Sequence, residues 1–270
     1  ALQQLLPIQK KDFKEILTTM APHPVTIRLL DPPIHEFLPT EDELKDELQH
    51  LHHLRETANG VNNLMSSLRL LHAENLEMNI LPFNGKGVEL IEQAITKKEN
   101  ILKKAHELHE VNPMLGHRGV RLGLTYPEIY KMQIQAILEA AAECEKEGIK
   151  AHAEIMVPQV CTAEELQKVK VYVDEIVEKV EKAYSVKLKF KFGTMIEVVR
   201  ACMQADELAK HADFFSFGTN DLTQATFSFS REDAENKFLP FYAEKNILHD
   251  NPFEVIDRHG VGKLMKIAIE

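Results

Sequence analysis

Two acidic residues in this sequence each follow an apolar segment that is typical of a buried strand. Glu197 comes directly after residues 192–196, and Asp221 comes shortly after residues 214–217. A carboxylate in such a position must be solvated, paired or coordinated, because burying it without a partner is costly. Two carboxylates with few other donors suit Mg²⁺, which keeps waters and accepts substrate oxygens. The structural alternative is that Asp221 caps a turn and Glu197 pairs with Arg200.

Two arginines supply charge of the opposite sign. Arg28 interrupts an apolar run, and Arg118 stands in a glycine-rich segment that lets a ligand or another backbone come close. Guanidinium groups hold carboxylate or phosphate through paired hydrogen bonds. The alternative is a purely structural ion pair, for instance of Arg28 with Asp31 or Glu197.

A short polar turn precedes and includes the second carboxylate. Gly218, Thr219, Asn220 and Asp221 offer successive backbone N–H groups and short polar side chains, which can cradle an oxyanion. The same composition is also typical of an ordinary turn, so the segment alone does not establish a binding site.

The elements that must position these residues alternate between strands and helices. Such alternation predicts a parallel sheet covered by helices, with the candidate residues at the carboxyl ends of the strands, where (β/α) barrels carry their sites. Residues 50–110 interrupt the alternation with a polar, helical pattern. We predict strands at 25–30, 153–160, 188–199 and 213–217, and helices at 5–20, 126–148, 162–183, 200–211 and from 261.

Composition excludes several classes of protein. The chain has 270 residues, of which 44% are apolar and 27% charged, as in ordinary globular proteins. A formal charge of −10 argues against a nucleic-acid partner. No apolar run approaches the roughly 18 residues of a membrane span, and the first ten residues do not resemble a signal peptide. Three cysteines without CxxC spacing favour a reducing compartment, so we expect a cytoplasmic protein.

Four motifs are distributed along most of the chain: RLLDPPIHEFLP at 28–39, NPMLGHRG at 112–119, GTMIE at 193–197 and GTNDLTQ at 218–224. In type and order they resemble the second, third, fifth and sixth barrel strands, with their loops, of the pyruvate, phosphate dikinases, which belong to the PEP-utilising enzymes. Pyruvate, water dikinase and enzyme I of the phosphotransferase system share the last two motifs but lack the first. The phosphate dikinases are therefore favoured over those two alternatives.

The resemblance implies that residues 1–270 form part of the carboxy-terminal domain that binds phosphoenolpyruvate (PEP) and pyruvate, a (β/α)8 TIM barrel. It implies that Glu197 and Asp221 ligate Mg²⁺, and that Arg28 and Arg118 hold the phosphoryl group. The residues implied to contact the pyruvate or PEP moiety are Gly218, Thr219, Asn220 and Asp221. The implied reaction is ATP + pyruvate + phosphate ⇌ AMP + PEP + diphosphate, with a phosphohistidine domain of the same parent chain as partner.

The resemblance also implies that the barrel is incomplete, with about strands two to six present. The family's catalytic cysteine would follow Glu270, and its first barrel strand would precede Ala1. We therefore expect the chain alone to be inactive, and we name no catalytic residue in it. Residues 50–100 exceed the length expected for the family and are predicted to be a helical insertion.

Two functions of other classes remain open. One is a non-catalytic association module, since the open edges of an incomplete barrel favour a homodimer or a larger assembly. The other is an unrelated Mg²⁺ and enolate barrel such as an aldolase, for which the sequence offers no convincing base.

Overall fold

A computed structural model describes residues 2–33, 36, 39–71, 85–108 and 115–270. The chain divides into two compact units, which we call the sheet unit (Ala1–Pro33 with Asn112–Glu270) and the helical unit (Ile34–Val111). Three parts of the sequence motifs and loops considered above lie outside the described residues: positions 34, 35, 37 and 38, positions 72–84, and positions 109–114.

The sheet unit is built on one parallel sheet. Its strands follow the order of the chain: β1 (Pro24–Arg28), β2 (His152–Val157), β3 (Phe190–Ile196) and β4 (Phe214–Phe217). Thr26 stands opposite Glu154, and Thr194 stands opposite Phe215, in the register of the sheet. Because all four strands run the same way, their carboxyl ends meet at one edge, which brings Arg28, Glu197 and Gly218 into one region.

The described helices fall on both units. The sheet unit contains α1 (Leu2–Met20), α4 (Val120–Thr125), α5 (Pro127–Lys146), α6 (Ala163–Tyr184), α7 (Val199–Met203), α8 (Ala205–Ala209), α9 (Thr219–Phe227), α10 (Arg231–Lys237), α11 (Leu239–Glu244) and α12 (Val261–Ile269). The helical unit contains α2 (Glu41–Leu71) and α3 (Gly85–Leu108). None of the described helices combines the length and the apolar character that crossing a membrane requires.

The core of the sheet unit lies between the strands and the helices α5 and α6. Ile155 and Ile196 of the sheet are fully buried, as are Ile134 and Ile137 of α5. Helix α6 begins with a capping box, in which Thr162 accepts a hydrogen bond from the Glu165 N–H while the Glu165 carboxylate accepts one from the Thr162 N–H. The helical unit has a small core of its own, made of Leu48, Ala58, Ile91 and Ile95.

The predicted alternation and the parallel sheet of an incomplete barrel are confirmed. Two elements differ in detail. The described part of the motif that resembles the third barrel strand, residues 115–119, forms no strand and is followed by helix α4. Strand β1 pairs directly with β2, so the described residues contain four strands where "two to six" implied five. Gly119, at a φ of 58°, directly precedes α4 in a conformation that glycine adopts without strain. The helix predicted at 200–211 is divided into α7 and α8 at Gln204. That residues 50–100 are an insertion stays a prediction.

Candidate functional site

Glu197 follows the last residue of β3 and is only 1% exposed. Its Oε1 accepts a hydrogen bond from the backbone N–H of Gln159 at 2.7 Å. Its Oε2 is buried and has no hydrogen-bond partner among the described residues. Burial raises the pKa of this carboxyl from 4.5 to about 7, and the neighbouring carboxylates Asp221 and Asp31 add to the rise, while the Gln159 N–H and Arg118 oppose it. The site therefore contains one strongly perturbed, unsatisfied carboxylate.

Asp221 lies in the first turn of α9, which begins directly after β4 and Gly218. Its Oδ1 accepts a hydrogen bond from Nη1 of Arg118 at 3.3 Å. Burial raises the pKa of Asp221 and nearby Asp31 adds to this rise, against the lowering effect of Arg118 and Arg28. Both predicted metal ligands thus reach the carboxyl edge of the sheet, one from β3 and one from the helix after β4.

Asp31 connects the two predicted phosphoryl-binding arginines. It is 2% exposed, it accepts a hydrogen bond from Nε of Arg118 at 3.2 Å, and it also contacts Nη2 of the same guanidinium. Nη1 of Arg28 donates to Asp31 at 3.1 Å. The structural ion pair considered for Arg28 is therefore present, yet 45% of the Arg28 side chain remains exposed. Arg200, which was considered as a partner of Glu197, instead donates a hydrogen bond to the carbonyl oxygen of Cys161.

Gly218 provides the space that the Glu197 carboxylate occupies. A Cβ atom at position 218 would lie 2.3 Å from Glu197 Oε2 and 2.7 Å from Glu197 Cβ, so a side chain does not fit there. Thr219 and Asn220 are exposed in the first turn of α9. The four-residue turn is thus the start of a helix beside the carboxylate, and whether it contacts a ligand stays a prediction.

Glu197 and Asp221 line one cavity of about 340 Å³. Its wall also contains polar residues, Gln159 and Arg121, and apolar residues, among them Val198, Ala225 and Phe229. Arg118 reaches the site through its ion pair with Asp221. The lining combines charged and polar groups with apolar residues, as the sites of small ligands commonly do.

Sequence reasoning missed three residues of this site. Asp31 was considered only as a partner of Arg28, whereas it also binds Arg118, which lies 87 residues further along the chain. Gln159 and Arg121 were not among the predicted site residues. The position of Gln159, two residues after β2 at the carboxyl edge of the sheet, was the signal that could have found it.

The donors at this edge suit a hard divalent cation. Within the part of the chain that the structure describes, Glu197 Oε2 is a buried acceptor without a hydrogen-bond partner, and Gly218 places no side chain beside it. The described residues contain no group of three or more His, Cys, Asp or Glu side chains that could hold a metal ion by themselves. A cation held by Glu197 and Asp221 would take its remaining ligands from water and substrate, which is the usual manner of Mg²⁺.

Residues 2–270 match the family described as "PEP-utilising enzyme, PEP-binding domain". The chain belongs to this family. It is 52% identical over 269 residues to a pyruvate, phosphate dikinase of Entamoeba histolytica, covering 99% of this chain and 26% of that protein. It is 43% identical over 271 residues to the pyruvate, phosphate dikinase of Rickettsia prowazekii, covering 100% of this chain and 26% of the relative.

A plant relative is similar to the same extent. Pyruvate, phosphate dikinase 2 of Oryza sativa subsp. japonica is 44% identical over 270 residues, which cover 100% of this chain and 26% of the relative. The resemblance inferred from the four motifs is therefore confirmed. The chain spans about a quarter of the length of these family members.

Proposed function

We propose that this chain is the PEP- and pyruvate-binding, Mg²⁺-binding part of a pyruvate, phosphate dikinase. In the complete enzyme it would accept pyruvate as its enolate and exchange a phosphoryl group with a phosphohistidine on another domain. The observation that carries the proposal is the pair of carboxylates at the carboxyl edge of the sheet, one of which has a buried oxygen with no hydrogen-bond partner among the residues that the structure describes.

Glu197 and Asp221 are the residues that would hold the cation. Mg²⁺ supplies stabilisation of the negative oxygen of the pyruvate enolate. Gly218 supports this role, because its missing side chain leaves room for the Glu197 carboxylate. Burial is the main cause of the raised pKa of both carboxyls, and a bound cation would oppose it by favouring their charged forms.

The two arginines would bind the phosphoryl group and neutralise its charge during transfer. At this edge three carboxylates (Asp31, Glu197 and Asp221) are balanced by three guanidiniums (Arg28, Arg118 and Arg121). A divalent cation would give the site a net positive charge. Binding of an anionic substrate is therefore expected to depend on the cation.

The reaction needs groups that the cavity does not provide. Its lining, among the described residues, includes no cysteine and no histidine. A proton donor for the enolate and the phosphoryl carrier would come from elsewhere in the complete enzyme, and general acid catalysis alone is worth about 10²- to 10⁴-fold in rate. We therefore expect these 270 residues to bind substrate without forming PEP from ATP, pyruvate and phosphate.

Isothermal titration of the purified chain with Mg²⁺, and then with PEP, tests the proposal. We expect PEP to bind only when Mg²⁺ is present, and the variants Glu197→Gln and Asp221→Asn each to weaken Mg²⁺ binding at least tenfold. Glu178→Gln, an exposed carboxylate on α6, is the matched control and should bind as the wild type does. PEP binding that is independent of Mg²⁺, or unchanged Mg²⁺ binding in both site variants, would contradict the assignment.

A further inference from the structure

Gln159 holds an unusual backbone conformation at the edge of the site. Its φ is 60°, in the left-handed region that residues other than glycine rarely adopt. In this conformation its N–H points to Glu197 and donates the 2.7 Å hydrogen bond to Oε1. Strained residues of this kind persist where the surrounding structure fixes them, and they concentrate at functional sites.

The side chain of Gln159 is fixed as firmly as its backbone. The residue is 4% exposed. Its Cβ and Cγ pack so closely on Gly119 that a Cβ atom at position 119 would lie 2.7 and 2.8 Å from them. Gly119 itself is anchored by its N–H, which donates to the carbonyl oxygen of Asp31 at 2.9 Å. The aliphatic part of the Gln159 side chain is therefore closely packed beside the site.

This fixed amide has an unused donor. Nε2 of Gln159 is buried and has no hydrogen-bond partner among the described residues, although the residue lines the same cavity as Glu197 and Asp221. Leaving a buried donor unpaired is costly, and natural proteins keep few of them. The cavity thus contains two complementary deficits, since among the described residues no donor reaches Glu197 Oε2 and no acceptor reaches Gln159 Nε2.

We infer that Gln159 is a specificity-determining residue, whose side-chain amide donates a hydrogen bond to a carboxylate oxygen of the bound substrate. The inference rests on the proposed function and adds the substrate feature that is recognised, which is the planar carboxylate of a 2-oxo acid or its enol. A ligand that pairs a cation with an oxyanion satisfies both deficits at once. A neutral donor suits this place, because it attracts an oxygen without repelling the neighbouring cation.

Titration of the purified chain with three probes tests the inference: Mg²⁺ alone, oxalate in saturating Mg²⁺, and inorganic phosphate in saturating Mg²⁺. Oxalate presents the planar carboxylates without a phosphoryl group, and phosphate presents the reverse. For Gln159→Leu we expect Mg²⁺ and phosphate affinities within twofold of wild type and a fall of about tenfold in oxalate affinity. Gln159→Glu, which places an acceptor where the donor was, should weaken oxalate binding further.

Two more variants separate recognition from a structural role. Gln159→Asn keeps an amide but shortens the side chain, and asparagine tolerates the left-handed conformation, so it should remain folded and still bind oxalate more weakly than the wild type. Gln167→Leu, an exposed glutamine on α6, should change nothing. Oxalate affinity within twofold of wild type in folded Gln159→Leu or Gln159→Asn overturns the inference, even where the melting temperature falls. A wild-type chain that binds neither oxalate nor PEP with Mg²⁺ overturns the proposed function, and the inference with it.

Discussion

Replacing Glu197 by glutamine removes an ionisable group whose pKa is raised by burial from 4.5 to about 7. Below pH 4.5 this carboxyl is protonated in both the folded and the unfolded chain. Between pH 4.5 and 7 the folded chain holds a proton that the unfolded chain has lost, so the free energy of unfolding decreases as the pH rises. At 1.36 kcal/mol per pKa unit, the loss is about 3 kcal/mol in total, and most of it falls between pH 5 and pH 8.

Glutamine at position 197 keeps an oxygen to accept the Gln159 N–H and cannot ionise. The free energy of unfolding of Glu197→Gln, relative to that of the wild type, should therefore increase by about 2 to 3 kcal/mol from pH 5 to pH 8 in the absence of metal. Urea unfolding in EDTA at both pH values measures this difference. Far-UV circular dichroism is the suitable signal, because the chain has no tryptophan. Glu178→Gln, on the exposed face of α6, should follow the wild-type pH dependence.

Addition of Mg²⁺ at pH 8 completes the experiment. A cation that binds only the folded state stabilises it in proportion to the logarithm of its concentration over its Kd. The wild type should gain stability with Mg²⁺ and Glu197→Gln should not. The same pH dependence in wild type and Glu197→Gln would refute the reasoning, because the buried carboxyl would then not be the group that titrates.

Three further outcomes are expected. In Gly218→Ala the new methyl group would lie 2.3 Å from Glu197 Oε2, so the Mg²⁺ affinity measured by calorimetry should fall at least tenfold. The control Gly60→Ala, where an added Cβ would meet nothing within 4 Å, should bind Mg²⁺ as the wild type does. Equal Mg²⁺ affinities of the two variants would show that Gly218 does not shape the site. Thr162→Ala removes the capping box of α6 and should lower the free energy of unfolding in urea by about 1 kcal/mol. Thr162→Ser keeps the hydroxyl and should retain most of the wild-type stability, so equal losses in the two variants would exclude the hydroxyl as the cause. The chain should associate through the edge strands β1 and β4, so sedimentation velocity that finds only monomer over a wide concentration range would contradict this.

The alternation of strands and helices was predictable because each apolar run has the length and punctuation of its element. Glu197 and Asp221 were predictable as neighbours because parallel strands end at a common edge. The bridge made by Asp31 was not, since it joins Arg28 to a guanidinium from a distant part of the chain. The conformation of Gln159 was also hidden, because a left-handed glutamine depends on packing against Gly119 and has no sequence signal of its own.

The order of the strands also bears on how the sheet forms. Residues 29–151 separate β1 from β2, whereas residues 158–189 separate β2 from β3, although both pairs are neighbours in the sheet. The entropic cost of closing a loop of n residues grows as (3/2)RT ln n, so the pairing of β1 with β2 costs about 1.2 kcal/mol more than the pairing of β2 with β3. We expect β2, β3 and β4 to assemble first and β1 to join last. Arg28 and Asp31 would then complete the site at the end of folding, and pulse-labelled hydrogen exchange should find β1 protected after the other strands.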